Sequence, residues 1–138
     1  MIKRFPYSRI NGDEMSLSGQ EIELLLKEFE ENTEGVLGCS IIYAKDALLI
    51  AESSQKFERL VIQWLSEKML SLARESLQQL MKEFKLINVT IEEENHLIYL
   101  RPIGDDYYIV IITTKEENRG LIEHNVKRLQ QRLHSVLY

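Results

Sequence analysis

KFERLVIQWLSEKMLSLARESLQQLMKEF, from Lys56 to Phe84, is the stretch whose reading decides the fold. It has no Gly or Pro and is rich in strong helix formers, which predicts one continuous helix. At 1.5 Å per residue, roughly 29 residues make a rod about 43 Å long. A compact chain of 138 residues has a diameter of only roughly 37 Å, so one copy barely covers such a helix. On a helical wheel, Phe57, Leu60, Val61, Trp64, Leu65 and Leu72 fall on one side. Leu70, Ala73, Leu77, Leu80, Met81 and Phe84 fall largely on the other. An ordinary surface helix carries a single apolar stripe. Either a long core helix lets its stripe drift, or the helix is shared between its own sheet and a second subunit. The second reading fits two separate sets better.

Upstream, Ser18 and Glu21 have the spacing of a capping box, with Leu17 and Ile22 placed as a hydrophobic staple. Ile22, Leu25, Leu26 and Phe29 continue at helical spacing to about Asn32. Gly35 closes that helix. Val36 to Ala44 and Leu48 to Ser53 read as two strands joined by a hairpin turn at Lys45-Asp46-Ala47. Asp46 tolerates a left-handed backbone and Ala47 does so poorly. Ser53-Ser54 is the expected N-cap region of the long helix.

Downstream the apolar period switches to two. Ile87, Val89 and Ile91 alternate with Asn88, Thr90 and Glu92, a half-exposed strand. His96 to Arg101 is a strand closed by Pro102, and Tyr107 to Thr114 is apolar enough for a central strand. A last helix is expected from Lys115 to Val136, with its stripe on Ile122, Val126, Leu129, Leu133 and Val136. The order is α-β-β-α-β-β-β-α, without linker or repeat: an α/β sandwich on a five-stranded, mainly antiparallel sheet. Residues 1–17 read as an N-terminal extension whose few apolar residues could dock or form one short strand. Residues 18–138 form the domain.

Composition narrows the function. A net charge of −5 argues against wrapping nucleic acid. No apolar run approaches a membrane span and no secretory signal is visible. A single cysteine, Cys39, makes a cytoplasmic location the default.

Candidate chemistry is sparse. Asp105-Asp106 and Glu92-Glu93-Glu94 lie at turns, where acids are ordinarily solvated. His96, His124 and His134 lack partners at metal-ligand spacing, and Cys39 lies in a strand without a base beside it. The Gly residues make no phosphate-cradling pattern. No catalytic residue, metal ligand or cofactor site is assigned, so a non-enzymatic protein is expected. For an arginine supplied to a GTPase partner, the candidates are Arg59, Arg74, Arg101, Arg119, Arg128 and Arg132. All lie on helices or a strand end, where solvated charge is the plainer reading.

The segment EGVLGCSIIYAKDALLIAES ahead of a long helix resembles the opening signature of the roadblock/dynein light chain family. Gly35, Val36, Gly38, Asp46, Leu48, Ile50 and Ala51 carry the match. The segment from Asn95 to Leu129 resembles the family's closing strand, PxGDD, strand and helix, through Pro102, Gly104, Asp105 and Asp106. Glu34 replaces the usual Pro, Ala47 the usual Gly, and Asn95-His96 a Gly-containing pair. The resemblance covers about Ser18 to Val136. It implies a profilin-like roadblock fold that dimerises with itself or a paralogous subunit through its long helices and third strands. That places Leu70, Ala73, Leu77, Leu80, Met81, Phe84, Val89 and Ile91 at the dimer interface. It also implies a platform that binds or regulates a small Ras-like GTPase. The alternatives are an architectural subunit of a motor, trafficking or polarity assembly, and a small-molecule sensor with an apolar cavity.

Overall fold

The computed structural model describes residues 17–115 and 119–138. The expected N-terminal extension, its short strand, and the segment entering the last helix fall mostly outside them. Three helices and five strands follow the expected order: α1 (Leu17–Asn32), β1 (Val36–Tyr43), β2 (Leu49–Glu52), α2 (Arg59–Leu80), β3 (Val89–Glu92), β4 (His96–Ile103), β5 (Tyr107–Thr114) and α3 (Arg119–Leu137). The strands form one sheet in the order β2-β1-β5-β4-β3, and every neighbouring pair is antiparallel.

The two-residue period of a strand divides the core. In β5, Tyr107, Ile109 and Ile111 face α1 and α3, joining Leu26, Phe29, Ile122, Val126 and Leu133. Tyr108, Val110 and Ile112 face the opposite way, toward Ile62, Met69 and Leu70 of α2. β5 is central and covered on both sides, which its continuous apolar run requires.

Three local expectations change. The long helix spans 22 residues, about 33 Å, and not Lys56 to Phe84. Glu58 is its N-cap, in extended backbone and without a side-chain cap bond. Ser53 and Ser54 do not cap it, because both hydroxyls bond to Glu30 of α1. At the other end Met81 is extended, since Val89 must pair with Leu100 and the chain has to turn back to β3. Sheet pairing overrides the helix propensity of residues 81–84. Ser18 already lies within α1, not in front of it.

Three turns have positive φ, at Gly35 after α1 (φ +94°), Ala47 and Gly104. Ala47, at φ +57°, closes the β1–β2 turn, where its amide donates to Tyr43 O at 3.0 Å. The Asp46 carboxylate accepts the Leu48 amide at 3.0 Å. Ala47 is 4% exposed, so burial of its methyl offsets part of the strain. Gly104, at φ +63°, turns β4 into β5 beneath Tyr138, whose ring atoms lie 2.5 Å from where a Cβ would stand.

Candidate interaction surface

The start of α2 is fixed by a partly buried tether. Glu30 of α1 accepts hydrogen bonds from Ser53 Oγ (2.6 Å), Ser54 Oγ (2.9 Å) and Lys56 Nζ (3.1 Å). Ser53 Oγ in turn accepts the Cys39 amide at 3.0 Å. Burial pushes the Glu30 carboxyl up, but the bonds from Ser53, Ser54 and Lys56 outweigh it and hold the group below its ordinary value. Phe57 then lies over Gly38 of β1, where a Cβ would come within 3.1 Å of the ring. That close approach explains a glycine inside a strand.

Once anchored, α2 attaches by one side only. Ile62, Ser66, Met69 and Leu70 are buried against the sheet. The Ser66 hydroxyl is satisfied by Ile62 O at 2.6 Å. Gln63 Oε1 accepts the Leu49 amide at 2.8 Å and covers part of the β2 edge. Arg59 pairs with Glu52 at 3.0 Å. The other oxygen of Glu52 is buried without a hydrogen-bond partner, and burial raises that carboxyl despite Arg59. The enclosed space beside it measures about 10 Å3, room for roughly one water.

The outward side of α2 carries Leu60, Val61, Trp64 and Leu72, all large and exposed; Leu60 is 70% and Leu72 68% open. Leu80, Met81, Phe84, Ile87 and Ile91 extend the apolar surface toward β3, the open edge of the sheet.

This arrangement redistributes the expected interface residues. Leu70 is 3% exposed and packs into the chain's own core, so it cannot meet a partner without unpacking. Ala73 and Leu77 are half-buried on the same inward side. Leu80, Met81, Phe84 and Ile91 are exposed, and Val89 is half-buried. Leu60, Val61, Trp64 and Leu72, which the expected set left out, are exposed on the outward side. One signal marked them: Glu67, Lys68 and Glu75 share their side of the wheel, while the side of Ile62, Ser66 and Met69 carries only Arg59, at the helix start.

Four of the six candidate arginines have partners. Arg59 holds Glu52, and Arg119 reaches Glu92 at 3.6 Å. Arg74 bonds to the Tyr108 hydroxyl at 3.4 Å. Arg101 forms a two-point pair with Glu123, bonds to Asn88 Oδ1 at 3.0 Å and stacks over Tyr99. Arg128 and Arg132 have none among the described residues.

The remaining candidates serve structure. Burial pushes the Cys39 thiol up to about 12, which leaves it a neutral core group. Asp106 is not merely solvated: its carboxylate lies 3.2 Å from the Tyr138 hydroxyl, which also accepts its amide at 2.9 Å. His134 stacks on the Tyr138 ring, while His96 and His124 are exposed. Among the described residues, no group of three His, Cys, Asp or Glu side chains is placed to hold a metal. None of their helices is long and apolar enough to cross a membrane.

The three-helix, five-stranded arrangement is the roadblock/LC7 fold. No family model matches the sequence, and no curated protein matches it significantly. Solved structures align over most of their length. A Roadblock/LC7 domain from Streptomyces avermitilis superimposes with a TM-score of 0.74 at 12% identity, over 83% of this chain and 96% of that one. A structure of MglB in a tetrameric arrangement gives 0.72 at 14% identity, over 90% and 93%. MglB from Myxococcus xanthus gives 0.70 at 16% identity, over 89% and 92%.

Proposed function

We propose that residues 18–138 form a dimeric platform, without chemistry of its own, that binds and regulates a small Ras-like GTPase in the cytoplasm. One observation carries this reading: the anchored helix α2 turns Leu60, Val61, Trp64 and Leu72 outward, next to an open β3 edge. Burying such side chains contributes about 1.5–3 kcal/mol each, enough to offset the entropy of association. Leu80, Met81, Phe84, Val89 and Ile91 would complete the contact with an identical or paralogous subunit. The roadblock resemblance supplies the GTPase, and the tetrameric MglB arrangement is a precedent for assembly in this fold. Four of the six candidate arginines are tied to partners. All six lie on α2, β4 or α3 and none in a loop, so any stimulation of hydrolysis works by shifting the partner's switch loops.

Light scattering at tens of micromolar should give a dimer mass, and Trp64→Glu with Leu72→Glu should give a folded monomer. A wild-type monomer would end the dimer proposal. Capture from lysate should favour a GTPase loaded with a non-hydrolysable GTP analogue over the GDP form. Nucleotide-independent capture of a larger assembly would move the reading to an architectural subunit.

A further inference from the structure

On the sheet face opposite α2, a groove of about 220 Å3 runs between the C-terminal half of α1 and the middle of α3. Its floor is apolar, formed by Leu25, Phe29 and Leu129. At one end the Asn125 amide donates to Thr33 Oγ1 at 3.0 Å, linking α3 to the residue that follows α1. Arg128 and Arg132, one helical turn apart, stand on its rim with no partner among the described residues.

The charge around them is unusual for this chain. α3 holds Arg119, Lys127, Arg128 and Arg132 against Glu123 alone, a net of +3, while the whole chain is −5. Glu28 is the one acid lining the groove, so the two guanidinium groups dominate it. An arginine fork matches a carboxylate in two-point geometry, and the floor suits an apolar side chain beside it.

We propose that the α1–α3 groove binds an acidic linear segment of a partner protein. The segment places carboxylates on Arg128 and Arg132 and an apolar side chain over Phe29 and Leu129. The groove lies across the sheet from α2, so a bound segment and a second copy on α2 do not compete. This site stands apart from the platform reading.

A random 12-residue display library, selected on the full chain, tests it. Selection should enrich a class with two or more acidic residues around an apolar one. Synthetic members of that class should bind at least about tenfold more weakly to the Arg128→Glu, Arg132→Glu double variant. Arg119→Glu, paired outside the groove, should bind them normally. If the double reversal fails to fold by circular dichroism, Arg128→Ala with Arg132→Ala replaces it. The proposal is overturned if no acidic class appears, or if its members bind wild type and variant equally. It is also overturned if the reversal instead abolishes self-association, since the groove would then hold the acidic α1 of a second copy.

Discussion

The two faces of the sheet are built to different degrees of completeness. On one, α1 and α3 together cover the inward residues of β1, β4 and β5, and Leu26, Ile109 and Leu133 are fully buried. On the other, α2 alone covers a smaller cluster and leaves its own far side apolar and exposed. The same strands serve both faces, so the strands do not cause the difference. A sheet face covered by two helices is a finished core. One covered by a single two-sided helix keeps an apolar surface turned outward.

Substitution should separate the faces most strongly in their interiors. Leu133→Ala removes a fully buried side chain from the finished face and should cost about 2–5 kcal/mol by urea unfolding. Leu72→Ala on the outer side of α2 should cost less than about 0.5 kcal/mol in dilute protein. A comparable loss for both at low concentration would erase the distinction. A concentration-dependent loss for Leu72→Ala alone would sharpen it.

The left-handed turns give the next contrast. Gly104→Ala drives a methyl into the Tyr138 ring and should cost about 1–3 kcal/mol, read as a lower melting temperature. Ala47→Gly, under the α2 face, relieves strain but loses a buried methyl, so it should move stability by less than about 1 kcal/mol.

The smallest effect concerns the link between the faces. Glu30 joins α1 to the start of α2, and its folded-state pKa lies below the ordinary value of 4.5. Its contribution is present in full above that ordinary value and is lost as pH falls through the lower, folded one. Glu30→Gln should therefore flatten the acid limb of stability below about pH 4.5. Denaturant midpoints measured from pH 6 to 3 test this; an unchanged acid limb would show that the tether is not ionic.

Much of this architecture was legible in the chain because it depends on short-range periods. The continuous apolar run of β5 survives in the structure, as does the helical spacing of α3 through Leu133, though its last buried position is Leu137 and not Val136. What stayed hidden depends on contacts distant in sequence. Nothing near Ser53 indicates that Glu30, 23 residues earlier, takes its hydroxyl from the helix. Nothing near Gly104 reveals that Tyr138 packs on it. The two apolar sides of α2 were visible, but which one faced home was not. Leucines counted equally on both sides; Ser66 and the flanking charges held the answer.

The bond from the Leu49 amide to Gln63 Oε1 bears on how many copies can join. An unpaired sheet margin is a template that can be extended without end. Here the margins are unequal. The two edge strands are equally short, but β3 leaves apolar residues exposed, whereas β2 buries its own and gives one outward amide to its own helix. On β4, past the end of β3, Pro102 has no amide to offer and its carbonyl is taken by Gln130. Two copies meeting at β3 would thus expose only blunted β2 margins. Growth by strand addition would then stop at a pair, and a sheet joined in this way would not seed a fibre.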